Sequence, residues 1–194
     1  MIIYPKNFQK PQARNTCILL HLELKQFERA ELVFQSSLSI NPEFPDTHNN
    51  LGNSYREQGL LENAIDCYKA ALAINPNYFE AYNNIGNVFK ESGLIDKAIK
   101  SFERAIELNP DFPEPYNNLG NILKNFKKFD DAINNYKKAL TLNPSYVECL
   151  NNLGIVYFEQ GQLDNAFRSY KKALALNPNF EDTYSNLGIV YFHK

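Results

Sequence analysis

The chain has 194 residues, 44% of them apolar and 22% charged, with 20 basic and 22 acidic residues for a net charge of −2. That apolar share is enough for a packed core and excludes a disordered segment. The near-neutral balance excludes the basic footprint of a nucleic-acid binder, which makes RNA binding the weakest of the interaction readings.

In chain order, residues 1–10 form an N-terminal extension, and Met1-Ile2-Ile3-Tyr4-Pro5-Lys6 lacks the apolar core of a signal peptide. A repeat array covers 11–194, with units at 11–44, 45–78, 79–112, 113–146 and 147–180 and a half unit at 181–194. The markers recur at one spacing. Asn-Pro stands at Asn41-Pro42, Asn75-Pro76, Asn109-Pro110, Asn143-Pro144 and Asn177-Pro178. Glycine recurs in phase at Gly52, Gly86, Gly120, Gly154 and Gly188, and alanine at Ala30, Ala64, Ala98, Ala132 and Ala166.

Unit 11–44 is degenerate, with Ile18 in the glycine position and His21 in an aromatic one, as expected of a unit that caps a stack. Unit 79–112 is typical. Tyr82, Ile85, Gly86 and Phe89 fall on one face of a helix, and Ile95, Ala98, Ile99, Phe102, Ala105 and Ile106 form a second stripe. Glu91-Ser92-Gly93 breaks the pattern between them, and Asn109-Pro110 ends the second helix. Each unit therefore reads as two antiparallel helices. The glycines and alanines are expected where helices of a pair approach closely, with tyrosines and phenylalanines between successive pairs. In unit 113–146, Lys127 replaces the turn glycine of Gly59, Gly93 and Gly161, which predicts a different turn geometry.

These positions resemble the tetratricopeptide repeat family. The large first-helix site holds His48, Tyr82, Tyr116, Leu150 and Tyr184. The Leu-Gly pair appears as Leu51-Gly52, Ile85-Gly86, Leu119-Gly120, Leu153-Gly154 and Leu187-Gly188. The resemblance implies an all-α fold, a right-handed α-solenoid of antiparallel helix pairs whose first helices line a concave, polypeptide-binding groove.

Counted by the family's pattern, the sixth place of each unit reads Asn50, Asn84, Asn118, Asn152 and Asn186, and the fifth reads Asn49, Asn83, Asn117, Asn151 and Ser185. The ninth reads Asn53, Asn87 and Asn121 and then Ile155 and Ile189. Asparagine is a mediocre helix former, so its recurrence needs a reason. Its amide donates and accepts, so a ladder of amides could hold an extended peptide by its backbone. The alternative is that these amides bridge neighbouring helices. At the twelfth place Arg56, Lys90 and Lys124 give way to Phe158 and Phe192, so Ile155 and Phe158 form a candidate apolar patch. The acidic row Asp46, Glu80, Glu114, Glu148 and Asp182 reads either as selectivity for basic or hydroxyl-bearing peptides or as helix N-terminal charge.

Tyr82-Asn83-Asn84-Ile85-Gly86-Asn87-Val88-Phe89-Lys90-Glu91 and Tyr116-Asn117-Asn118-Leu119-Gly120-Asn121 are similar to units of the superhelical domain of O-linked N-acetylglucosamine transferases. That resemblance implies a substrate-recruiting part of a larger glycosyltransferase as an alternative to a stand-alone scaffold. The chaperone-tail clamp of other repeat proteins does not fit, because Asn49, Glu114 and Asn118 stand where it needs basic residues.

An enzyme of its own is not expected. His21, His48 and His193 lack partners at metal spacing, and all eight glycines belong to the repeat, leaving none for a phosphate loop. No cofactor or metal is expected. Cys17, Cys67 and Cys149 read as reduced structural thiols, and no stretch reaches the roughly 18 apolar residues of a membrane span. A cytoplasmic location is therefore expected. Residues 181–194 supply a first helix alone. The reading is either truncation or self-association through this edge, or a leftover helix acting as the cap.

Overall fold

A computed structural model describes residues 26, 27, 29–39 and 42–193. The N-terminal extension, Cys17, Ile18 and His21 lie outside these residues. The described residues are helices joined by tight turns. They divide into two compact units between Pro76 and Asn77.

The first unit contains α1 (residues 29–39), α2 (Pro45–Glu57) and α3 (Leu61–Ile74). Pro45 opens α2, where its missing N–H and fixed φ suit the first helical turn. Ala64, Tyr68 and Ala71 are the fully buried positions of α3. Tyr55 of α2 donates a 2.6 Å hydrogen bond to Glu31 Oε1 of α1. That bond, ahead of burial, raises the Tyr55 phenol above its ordinary range.

The second unit contains α4 (Phe79–Glu91), α5 (Ile95–Leu108), α6 (Pro113–Asn125), α7 (Phe129–Leu142), α8 (Val147–Glu159), α9 (Leu163–Leu176) and α10 (Glu181–His193). Helices pack as the pairs α4–α5, α6–α7 and α8–α9, and each pair touches the next through α5–α6, α7–α8 and α9–α10. First helices also touch one another, α4 to α6, α6 to α8 and α8 to α10, whereas α5 and α7, or α7 and α9, do not. A stack whose neighbours meet along one side only curves towards that side. The first helices therefore line the inner face of this unit. Contacts join only near neighbours, as in a one-dimensional solenoid.

The recurring glycine has a direct cause. A Cβ on Gly120 would stand 2.6 Å from Tyr136 Cε1, and one on Gly86 would stand 2.7 Å from Phe102 Cε1. Gly52 meets Tyr68 in the same way in the first unit, and Gly154 meets Tyr170. The first helix thus seats an aromatic ring from the second, closer than any side chain would allow. Ala98, Ala105, Ala132 and Ala139 are fully buried around these rings.

The turns inside each pair share one design. Leu94 N–H donates to Phe89 O and Gly93 N–H to Lys90 O, which is a Schellman cap. It places Gly59, Gly93 and Gly161 at φ of 74°, 75° and 72°. The different geometry expected at Lys127 is corrected here. Lys128 N–H donates to Leu123 O and Lys127 N–H to Lys124 O, so Lys127 adopts the same left-handed conformation at φ 58°. The hydrogen-bonding pattern of the cap, not the residue type, sets the turn.

The turns between pairs explain the asparagine of Asn-Pro. Asn109, Asn143 and Asn177 accept through Oδ1 from the backbone N–H of Asp111, Ser145 and Asn179 at 3.0–3.2 Å. Each is an Asx turn closed around the proline.

Candidate inner-face binding site

In the second unit the fifth-place amides turn inward. Asn83, Asn117 and Asn151 are 6–7% exposed. Each accepts, through Oδ1, one N–H from the sixth-place amide of the next first helix. Asn118 Nδ2 donates to Asn83 at 3.0 Å, Asn152 Nδ2 to Asn117 at 3.2 Å and Asn186 Nδ2 to Asn151 at 3.0 Å. Thr183 also donates to Asn151 Oδ1, at 2.9 Å. The amides therefore bridge neighbouring first helices. A primary amide has two N–H groups and a carbonyl, so one bridging N–H leaves the second and the carbonyl for another partner.

The ninth-place asparagines have other partners. Asn53 Oδ1 accepts from Tyr68 Oη in the first unit, and Asn121 Oδ1 accepts from Tyr136 Oη in the second, both at 2.7 Å. In unit 79–112 the ring is Phe102, which has no hydroxyl. There Asn87 Oδ1 accepts instead from Lys90 Nζ at 3.2 Å, and the same ammonium reaches Asn118 Oδ1 at 3.4 Å. Burial pushes the Tyr136 and Tyr170 phenols far above the ordinary range, so both stay O–H donors.

Lys124 occupies the place of Lys90 one unit on, where Tyr136 already holds Asn121 Oδ1. Lys124 has no hydrogen-bond or ion-pair partner among the described residues. Ile155 and Phe158 pack half-buried against the cluster of Ala166, Tyr170, Leu187 and Val190. The Phe158 ring lies 5.6 Å from that of His193.

Of the expected site residues on the first helices of the second unit, Asn118, Asn152 and Asn186 are tied to the preceding first helix, Lys90 bonds Asn87 and Asn118, Asn121 bonds Tyr136, and Ile155 and Phe158 pack against the Tyr170 and Val190 cluster. Asn84 is half-buried on α4. Asn50, Asn53 and Arg56 belong to the first unit, where Asn50 is exposed and Arg56 half-buried. The acidic residues Asp46, Glu80, Glu114, Glu148 and Asp182 stand in the first turns of their helices, where the helix dipole favours them. These bonds are the bridging of neighbouring helices that the sequence left as the alternative, and the sequence did not say which column donates and which accepts. The signal available was two asparagine columns one residue apart, which puts donor and acceptor 35 positions apart on adjacent helices.

No helix among the described residues is long and apolar enough to cross a membrane, and no group of His, Cys, Asp or Glu there could hold a metal ion. α10 exposes Tyr184, Ile189, Tyr191 and Phe192, the last at 87%. Unlike its four counterparts, Gly188 has nothing within 4 Å of where a Cβ would stand.

No curated protein matches the chain. Among solved structures, one of MamA is 25% identical, with a TM-score of 0.66 over 93% of this chain and 99% of that one. A TPR protein of Thermus thermophilus is 22% identical, with a TM-score of 0.72 over 90% of this chain and 95% of that one. YrrB, described as a TPR protein with an unusual peptide-binding site, is 24% identical, with a TM-score of 0.64 over 82% of each chain. The TPR repeat model matches residues 52–93, 86–125, 127–161 and 156–194. With the repeat model covering most of the chain and the helix pairs in place, the protein belongs to the tetratricopeptide repeat family.

Proposed function

We propose that the chain is a protein–protein interaction scaffold that holds an extended polypeptide along the face of its first helices. The observation that carries this reading is the row of sixth-place amides at Asn118, Asn152 and Asn186. Each uses one N–H on its neighbour helix and has a second N–H for another partner, with the carbonyl of Asn118 already accepting from Lys90. Ile155 and Phe158 beside them supply apolar contact. Each peptide bond held by an amide would contribute about 0.5–1.5 kcal/mol, so several rungs act together. The peptide-binding description of YrrB agrees with this reading.

The test is capture of partners by the intact chain and by a variant carrying Asn84→Ala, Asn118→Ala and Asn152→Ala, at a temperature where circular dichroism finds both equally helical. Loss of capture is expected. Unchanged recovery of every partner overturns the reading.

Self-association is a second reading, favoured by the uncovered Gly188 and the exposed rings of α10. A sedimentation mass that stays monomeric as concentration rises removes it. The similarity of the asparagine-bearing segments to glycosyltransferase repeats also suits a recruiting arm, which would be decided by a nucleotide-sugar-binding domain on the same polypeptide.

A further inference from the structure

α10 repeats the face that α4 and α6 turn to their second helices. On α4 that face is Tyr82, Gly86 and Phe89, and on α6 it is Tyr116, Gly120 and Leu123. The second helix lays three groups on it. Phe102 or Tyr136 seats its ring on the glycine. Alanines four residues before the ring and three after it, Ala98 and Ala105 or Ala132 and Ala139, are fully buried beside it. A cation two residues after the ring lies over the tyrosine, Arg104 6.0 Å from the Tyr82 centroid and Lys138 6.0 Å from that of Tyr116. On α10 the same places are Tyr184, Gly188 and Tyr191, and they are open. Tyr184 and Tyr191 are 54% and 59% exposed, whereas Tyr82, Phe89 and Tyr116 are half-buried. A Cβ on Gly188 would meet nothing within 4 Å.

This face is also charged where its counterparts are not. Glu181 lies on it about two turns before Gly188, at the place where Pro45, Phe79, Pro113 and Val147 open the other first helices. Asp182 adds a second acid to that turn, where α4, α6 and α8 each have one. Helices pair antiparallel, so a helix docked on α10 brings its C-terminal half, with the cation, to this acidic turn. The amide row is elsewhere, since Asn186 lies about 160° around the helix from Gly188. A second copy of the chain fits the face less well. α3, α5, α7 and α9 already seat their rings on their own first helices. α1 offers Phe34 between Ala30 and Ser37, but it has Ser36 where the cation belongs.

We propose that α10 is a docking site for one amphipathic helix of a partner protein. That helix carries an aromatic residue, alanines four residues before and three after it, and a lysine or arginine two after it. Its ring fills the Gly188 seat, its alanines let the two helices approach, and its cation covers Tyr184 on the side of Glu181. The partner thereby supplies, from another polypeptide, the second helix that pairs with α10.

The probe is a fluorescently labelled, terminally blocked peptide with the sequence of residues 163–176, side-chain-linked to hold it helical. Its controls are the same peptide with Tyr170→Ala or Lys172→Gln, and a linked peptide with the sequence of residues 26–39. Binding is read by anisotropy against the intact chain, Gly188→Leu and Tyr184→Ala. Both substitutions fall on open surface of α10, and circular dichroism checks that helicity is kept. The probe is expected to bind, and to lose at least about tenfold in affinity with Tyr170→Ala in the peptide or Gly188→Leu in the protein. Lys172→Gln is expected to cost about two- to fivefold, and that cost should vanish against Tyr184→Ala. No binding, or equal binding by Gly188→Leu, overturns the inference. Equal binding of the 26–39 peptide gives the site to a second copy and overturns it as well.

Discussion

Tyr136 Oη donates a 2.7 Å hydrogen bond to Asn121 Oδ1, and this one bond separates the two lysines of the inner face. Where the ring is Phe102, Asn87 holds Lys90; where it is Tyr136, Lys124 is left to other partners. The hydroxyl of a second-helix core residue thereby goes with a different set of partners for the first-helix lysine beside it.

Replacing Tyr136 with Phe copies the Phe102 arrangement. The ring stays seated on Gly120 and Asn121 Oδ1 passes to Lys124, so the expected cost is only about 0.5–1.5 kcal/mol in urea unfolding. A loss of several kcal/mol contradicts the exchange of partners.

The glycines are not equivalent. Gly120→Ala pushes a methyl into the Tyr136 ring and is expected to destabilise by about 1–3 kcal/mol. Gly188→Ala meets open space inside α10 and is expected to stabilise that helix by up to about 1 kcal/mol through propensity alone. Equal effects of the two in thermal unfolding refute the ring-seat explanation.

Lys127 sits in the left-handed region at φ 58°. A side chain there costs about 1–2 kcal/mol, partly offset by the greater chain entropy that glycine would lose on folding. Lys127→Gly is expected to raise the unfolding midpoint by an amount worth about 0.5–1 kcal/mol. A lowered midpoint would mean that the Lys127 side chain makes a compensating contact.

Alkali should unfold the protein through its buried neutral donors. Burial raises the Cys149 thiol to about 12 and Cys67 to about 11, and it pushes the Tyr136, Tyr146 and Tyr170 phenols higher still. Folded-state values above the unfolded ones mean that the folded chain keeps protons the unfolded chain has released. Stability from these groups is complete below the unfolded values near pH 9–10 and falls as pH rises towards the folded ones. Urea midpoints should hold level to about pH 8 and fall beyond pH 9, less steeply in Cys149→Ala. A midpoint that rises between pH 9 and 11 reverses the sign and defeats the account.

The helix pairs were legible because glycine, alanine and the aromatics each have one geometric use, and the 34-residue spacing repeats it. Gly86 against Phe102 is written into the sequence in that sense. Lys127 was not legible, because its conformation follows from backbone bonds to Lys124 and Leu123 that its side chain does not announce. The asparagines were half legible. Their recurrence demanded a polar role, yet only three-dimensional placement separates the buried acceptor Asn117 from the donor Asn152 that keeps a second N–H. Lys90 and Lys124 look equivalent in sequence. Their difference depends on residue 102 or 136 of another helix.

The most direct test of the central claim is to map a bound peptide by amide chemical-shift perturbation. The account predicts perturbations concentrated on the first helices, at Asn118, Lys124, Asn152, Ile155 and Phe158. Perturbations confined to the exposed faces of α5, α7 and α9 would contradict it.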